Sequence, residues 1–421
     1  MTSRPSSSSH SPSSSSSSAS AYQETSRRDE ADGGGIAAAN PAEDNEADEL
    51  SPRGCEWEFR LAATVPSPAM VGASDAIGSV DFDPSGSLLA TAGIARKVRI
   101  YNAATLLLDQ QSSSPAACIC VPAKLSSVRW RPDSSSSGRF VGCGDYDGVV
   151  TEYDLDRGGA ATWERDEHSG RRVWALDYSP SSSMAASGSD DRTAHVWDPR
   201  SPAAGWATAK ASGPVLCVEF DPSGAPRLAV GSADRRAALY DVRNMGRGPV
   251  ATAEGHARAV TYVRWAPGDR LVTSAADGTH RLWDWAAAGA QGMVGPGREV
   301  RAYSGHVSGR SFVGMGLWRG PGLVACGSES NHVFVYDLRW PKPVWVHPFF
   351  VPSGDGGGGF VSAVAWRQQA EDGGGGDAGV LVAGGSDGVL KLFTCRRRWR
   401  RLRDGEEEDD DPVEDVDGEH Q

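Results

Sequence analysis

Seven stretches of this chain repeat one pattern, and that self-similarity constrains the fold more than any single motif. Each has an alternating apolar run, a turn, a strand of small residues around Gly-Ser-Asp, and a strand closing on an aromatic residue, often followed by Asp. The clearest copy runs Val173-Trp174-Ala175-Leu176-Asp177-Tyr178, then Ala186-Ser187-Gly188-Ser189-Asp190-Asp191, then Ala194-His195-Val196-Trp197-Asp198. The closing aromatics are Tyr101, Tyr153, Trp197, Tyr240, Trp283, Tyr336 and Phe393, at spacings of 52, 44, 43, 43, 53 and 57 residues. Period-2 alternation with β-branched and aromatic enrichment predicts strands. The first strand of each copy is expected at Ile77–Phe82, Ser126–Trp130, Val173–Tyr178, Val215–Phe220, Val260–Trp265, Phe312–Leu317 and Val361–Trp366. Turns such as Asp83-Pro84-Ser85-Gly86 follow them, because Pro fixes φ and Gly tolerates positive φ.

A period of ~40–45 residues punctuated by Gly-His and Trp-Asp is the signature of WD-repeat propellers, one four-stranded blade per copy. The expected fold is all-β: a seven-bladed WD-repeat β-propeller over residues 54–395 with disordered N- and C-terminal tails. The strand near Glu56–Val65 has no blade of its own, and the last copy supplies only three strands before Phe393. Placing Trp57–Val65 as the outer strand of blade seven closes the ring and removes an open edge.

The ends differ in composition from the middle. Residues 1–53 are a Ser- and acid-rich leader with few large apolar side chains, which cannot offset chain entropy by burial. Residues 396–421 are a basic run, Arg396 to Arg403, followed by an acidic one, and are read as a disordered tail. The net charge of −13 comes from these ends: the leader carries −5 and residues 404–421 carry −11, leaving +3 for the body. A nearly neutral body argues against nucleic-acid binding. The Ser tract reads as phosphorylation sites and the Arg run as a nuclear import signal, each against a merely solvated run.

The N-terminus lacks an apolar signal-peptide core, and no apolar run is long enough to span a membrane. Nucleus and cytoplasm are the expected compartments. The seven Cys (Cys55, Cys118, Cys120, Cys143, Cys217, Cys326 and Cys395) include no C-x-x-C pair and read as small buried thiols in a reducing compartment. No P-loop, nucleophile elbow or metal-ligand spacing is present, so neither an enzyme nor a cofactor is expected. His168, Ser187, Asp191 and Trp197 recur as His256, Thr273, Asp277 and Trp283. The repetition favours a structural hydrogen-bond network over a catalytic His/Ser/Asp set.

Two features look like interaction chemistry. Trp197-Asp198-Pro199-Arg200, Tyr240-Asp241-Val242-Arg243 and Tyr336-Asp337-Leu338-Arg339 share an aromatic-Asp-x-Arg pattern. It resembles the WDxR box with which cullin-4 ubiquitin-ligase substrate receptors dock their damaged-DNA-binding adaptor. Asp198, Arg200, Asp241 and Arg243 are the candidates; the alternative is ordinary blade punctuation with a solvated Arg. The second feature is a set expected in loops on one mouth of the ring: Lys124, Tyr146, Arg172, Trp174, Arg235, Arg258 and Phe312. Bases interleaved with aromatics suit an extended peptide with acids around an apolar anchor, against a null of scattered surface charge.

Several of these residues sit in longer phrases. Among them are Lys124-Leu125-Ser126-Ser127, Gly144-Asp145-Tyr146-Asp147-Gly148, Arg172-Val173-Trp174, Gly255-His256-Ala257-Arg258-Ala259-Val260 and Phe312-Val313-Gly314. Collinear from Ile77 to Phe393, they resemble the WD domain of the plant constitutive photomorphogenic ubiquitin ligase and its suppressor-of-phytochrome partners. The leader shows no Cys/His cross-brace and no heptads, so the chain is more similar to the repressor of UV-B photomorphogenesis family. That resemblance implies binding to the UV-B photoreceptor, return of the receptor to its inactive homodimer, and negative feedback on UV-B signalling. It also implies the constitutive photomorphogenic ubiquitin ligase and the cullin-4 adaptor complex as partners, with light-signalling transcription factors as clients. By matching motifs, Lys124, Tyr146, Arg172, Trp174 and Phe312 would bind acidic peptides with a Val-Pro core. Arg235 and Arg258 stand where the ligases carry His-rich sequence and Lys, which keeps or raises the positive charge.

Overall fold

The computed structural model describes residues 56–68, 74–108, 114–132, 138–200, 207–285, 295–350, 359–368 and 378–398, which form seven sheets. Every sheet contains an antiparallel blade of four strands running from the ring axis outward. Blade three is Val173–Tyr178, Ala185–Ser189, Thr193–Trp197 and Ala207–Lys210. Blade five is Val260–Ala266, Arg270–Ala275, Thr279–Asp284 and Arg298–Ser304. Blade six is Met315–Trp318, Leu323–Cys326, His332–Asp337 and Pro343–Pro348. Each inner strand packs against the next, and the last packs against the first, so the ring closes.

The strand patterns follow this layering. Inner strands such as Val215–Phe220 and Val361–Trp366 are buried throughout and read as nearly continuous apolar runs. Outer strands such as Ala160–Asp166 have one covered edge and alternate with solvent. Adjacent blades share apolar cores; Val215, Val218 and Phe220 of blade four meet Ala186 and Val196 of blade three. Inner strands are also tied by side chains. Ser79 and Ser127 accept the backbone N–H groups of Val128 and Leu176, both at 3.1 Å, and Asp177 accepts that of Phe220 at 2.7 Å. Each bond satisfies a donor that the neighbouring blade leaves without a sheet partner.

Trp57–Val65 pairs antiparallel with Leu390–Arg397, Trp57 lying opposite Arg397 and Val65 opposite Leu390, and is the outer strand of blade seven. Its Trp57 is buried and packs on Trp318 of blade six with ring centroids 5.6 Å apart. The last strand runs through Arg396 and Arg397, past the boundary at 395 expected for the tail, because Trp57 and Glu58 pair with those residues. The leader 1–53, the Gly-rich segment Asp372–Asp377 and the remainder of the tail lie outside the described residues.

Other expectations need correction. Blade six begins at Met315, not Phe312, because Phe312 belongs to the preceding loop. Blade four gains a fifth short strand, Gly295–Pro296, parallel to Ala251–Glu254. Cys118 and Cys120 are exposed, since Ala117–Cys120 is the outer strand of blade one and alternates with solvent, whereas Cys143, Cys217, Cys326 and Cys395 are buried. Among the described residues no helix is long and apolar enough to cross a membrane.

Candidate peptide-binding mouth

Inner strands start at one end of the ring, and antiparallel pairing returns the chain there at the turn between the second and third strands. Lys124, Arg172, Trp174, Arg258 and Phe312 flank inner-strand starts, while Tyr146 and Arg235 occupy those turns, so all seven share one face. A β-bulge opens the inner strand in six blades, skipping Gly78, Ser126, Trp174, Leu216, Thr261 and Ser362 in the pairing register. A bulge re-aims its extra residue, and these six line the central channel just inside the mouth. Trp174 alone among them carries a large aromatic ring.

Three of the candidates form a continuous ladder that a fourth completes. The Arg172 guanidinium lies 3.9 Å from the Tyr146 ring centroid and 4.6 Å from that of Trp174. Trp174 meets Phe312 with centroids 4.5 Å apart at a 40° tilt, and its indole N–H donates to Asp190 Oδ1 at 2.5 Å. Trp174 and Phe312 are therefore one surface rather than two walls of an open slot, and Arg172 is a stacked, half-buried cation rather than a free rim charge. Lys124 is exposed beside the ladder, its carbonyl accepting the Tyr146 N–H at 3.0 Å. Arg258 reaches the Gly309 carbonyl at 3.4 Å, on the segment leading to Phe312. Arg235 stands apart, in a groove with Ser212, Asp234 and Glu254, and holds a left-handed φ of 75°.

Sequence reasoning did not single out Glu329. Its Oε1 accepts the N–H groups of Gly309, Arg310 and Ser311 at 2.9, 2.6 and 2.6 Å, clamping the segment that presents Phe312. Burial works to raise its pKa, but these three donors prevail and hold it below the usual carboxylate range. The far end of the channel is ion-paired instead of aromatic. Arg319 of blade six bonds Glu219 of blade four at 2.8 Å, and Arg129 lies 3.2 Å from Asp81.

Third strands end on the face opposite the mouth, and the aromatic-Asp-x-Arg boxes lie there. Arg200 and Arg243 are 74% and 70% exposed, and each folds back on its own Asp. Arg243 Nε and Nη2 bond the two Asp241 oxygens at 2.9 and 2.7 Å; Arg200 grips Asp198 in the same way at 3.2 and 3.0 Å. The Arg200 hydrogen bonds are the leading cause that holds the Asp198 carboxyl at about 2. Arg339 is tied differently, to Asp337 and also to Glu56 beside the closing strand.

The two repeated networks are unequal. In blade five, Trp283 Nε1 donates to Thr273 Oγ1 at 2.8 Å, that hydroxyl lies 2.7 Å from His256 Nε2, and His256 Nδ1 lies 3.0 Å from Asp277. In blade three, His168 meets Ser187 at 2.6 Å and Asp191 at 2.7 Å, but the Trp197 indole N–H has no partner among the described residues. Its ring instead stacks on Trp163 of blade two, centroids 5.7 Å apart. Of these two networks, the series from indole N–H to carboxylate is continuous in blade five and interrupted at Trp197 in blade three.

A closed ring of WD blades with an aromatic, cationic mouth belongs to the class of protein–protein interaction platforms. The WD domain, G-beta repeat family matches residues 66–102, 161–198 and 247–284. WD repeat-containing protein RUP2 of Arabidopsis thaliana is 47% identical over 348 residues, covering 77% of this chain and 89% of that protein. RUP1 of the same plant is 46% identical over 351 residues, covering 82% and 86%. The E3 ubiquitin-protein ligase COP1 of Arabidopsis thaliana is 29% identical over 342 residues, 80% of this chain but 47% of its own length. The chain belongs to the repressor of UV-B photomorphogenesis family of WD-repeat proteins. It is a WD-repeat regulator of UV-B and photomorphogenesis signalling.

Proposed function

We propose that this protein, in nucleus and cytoplasm, binds the UV-B photoreceptor through an acidic Val-Pro peptide and promotes the receptor's return to its inactive homodimer. The observation that supports this most is the Tyr146–Arg172–Trp174–Phe312 ladder across the mouth. An aromatic surface with a stacked cation suits a Pro ring, whose fixed φ lowers the entropy lost on binding. Exposed Lys124 and Arg258 stand beside it for flanking acids. The role asks for positioning and no covalent step. The test is a two-component assay in which purified photoreceptor monomer returns to dimer with and without this protein. Acceleration that disappears with Trp174→Ala supports the reading; an unchanged rate with wild-type protein removes it.

A second reading is favoured by one observation on the opposite face. Arg200 and Arg243 hold matching, exposed, Asp-braced guanidinium groups, a preorganised form for charge-assisted contacts. We propose that they dock the cullin-4 adaptor, making the chain a substrate receptor for light-signalling transcription factors beside the constitutive photomorphogenic ligase. Arg200→Ala with Arg243→Ala should abolish co-purification with the adaptor while leaving redimerisation intact. Retention of the adaptor would reduce the boxes to blade punctuation.

A further inference from the structure

Blade six departs from the network of blades three and five at its centre. Counting back from the closing aromatic, Ser187 and Thr273 stand ten residues before Trp197 and Trp283; the same position before Tyr336 is Cys326. The carboxylate position six residues before the aromatic, Asp191 or Asp277, is Ser330. His306 thus occupies the histidine place of the network and faces a thiol. A second departure comes from blade five. Three residues before the closing aromatic, the other six copies carry Val98, Val150, Ala194, Ala237, Val333 and Leu390, whereas blade five carries His280.

These departures meet. His280, His306 and Cys326 are buried, and one donor atom from each lies within 4.8 Å of the others. Both ring nitrogens of His280, and Nε2 of His306, are buried without a hydrogen-bond partner among the described residues. His306 Nδ1 lies 3.1 Å from the Tyr336 hydroxyl, which fixes the ring and leaves Nε2 as its free donor. That is the arrangement of a metal-binding histidine braced through its other nitrogen. Three unpaired nitrogens beside a thiol in a buried site are costly, and such groups call for a ligand.

We propose that His280, His306 and Cys326 form a three-coordinate site for copper(I), buried between blades five and six. A soft thiolate with two borderline imidazoles suits a d¹⁰ ion such as copper(I) or zinc(II). Charge selects among such ions: copper(I) with one thiolate is neutral, whereas a divalent ion would leave a net positive charge in a buried site. On binding, the Cys326 S–H bond is replaced by S–Cu, the proton leaves to solvent, and both imidazoles bind as neutral donors without change of oxidation state. The two imidazole rings now stack with centroids 4.1 Å apart at 12°. A metal lies in the plane of each ring that binds it, so loading turns one ring out of that stack.

The test uses the full chain with Cys55, Cys118 and Cys120 changed to Ser, which removes the exposed thiols and the undescribed one. Copper(I) is titrated in competition with bathocuproine disulfonate. One tightly held ion per chain is expected. His280→Val, the residue type of the matching position in blades one, two and six, and Cys326→Thr, the counterpart of Thr273, should each weaken it on the order of 100-fold or more. Both replacements restore the repeat, so circular dichroism should be unchanged. Affinity equal to that of the parent in either variant, or no ion retained by the parent, overturns the site. Should a variant fail to fold, X-ray absorption on the copper-loaded parent decides. Two nitrogens and one sulfur around copper support the proposal, and sulfur ligands alone overturn it.

Discussion

Trp174, at the bulge of blade three, and Phe312, in the loop before blade six, meet across the channel mouth with ring centroids 4.5 Å apart. The contact joins opposite sides of the ring into one apolar patch, so a ligand that lies on either ring lies on both. Trp174→Ala should weaken an acidic Val-Pro peptide roughly 30-fold or more, since large aromatic anchors typically cost about 2–4 kcal/mol. Phe312→Ala should weaken it too, and the double variant should fall short of the sum by about 0.5–1.5 kcal/mol, the usual coupling of an aromatic pair. Calorimetry on the three variants, with circular dichroism for folding, checks this. Wild-type affinity in Trp174→Ala would place the peptide elsewhere.

Lys124 is exposed and carries no stacking contact among the described residues, so its contribution is long-range charge. Lys124→Ala should reduce affinity less than Trp174→Ala, mainly by slowing association. The difference from wild type should shrink as ionic strength rises from about 0.05 M to 0.5 M, where the screening length falls to a few ångströms. Stopped-flow association rates at the two salts measure it. A salt-independent deficit would mean that Lys124 packs against the ligand instead.

The ring was legible in the sequence because a blade is a local device. Period-2 alternation, Pro/Gly turns and the closing aromatics each act within a few residues, and they located six of the seven inner strands closely. The mouth was legible as a face but not as a surface. The Trp174–Phe312 contact depends on the ring radius, and the Arg172 stack depends on where the bulge aims Trp174. Glu329 was invisible because its role is to accept backbone N–H groups of a loop, which leaves no side-chain pattern. The shared motif of blades three and five concealed a difference set by a neighbour: Trp163 takes up the face of Trp197.

Glu329 offers a test of whether the Phe312 segment must be held in place. Glu329→Gln replaces a carboxylate by an amide that presents a single acceptor oxygen and two donors to three N–H groups. Charge-assisted bonds are about twice as strong as neutral ones, so the clamp should loosen. Peptide affinity should fall roughly tenfold with little loss of global stability, and amide exchange should quicken at Gly309, Arg310 and Ser311. Unchanged exchange at those amides would show that other contacts hold the loop.

The blade-three network makes a signed prediction about acid. Burial of Asp191 works to raise its pKa, but hydrogen bonds from His168 and Thr193 outweigh it and bring the carboxyl down to about 2, from 3.8. Its folded pKa lies below the unfolded one, so the ionised group contributes stability above about pH 4 and loses it as pH falls through about 2. A shift of this size corresponds to an order of 2 kcal/mol. Asp191→Asn should therefore be less stable than wild type at neutral pH by about 1–2 kcal/mol, part being kept by the amide oxygen as an acceptor for the Thr193 N–H. Between about pH 4.5 and 2.5 the wild type should lose stability faster than the variant, and the two curves should converge. Urea unfolding at stepped pH reads this directly. Parallel curves through that window would mean that Asp191 keeps the same pKa in the folded and unfolded chains, and that the network holds the blade by geometry alone.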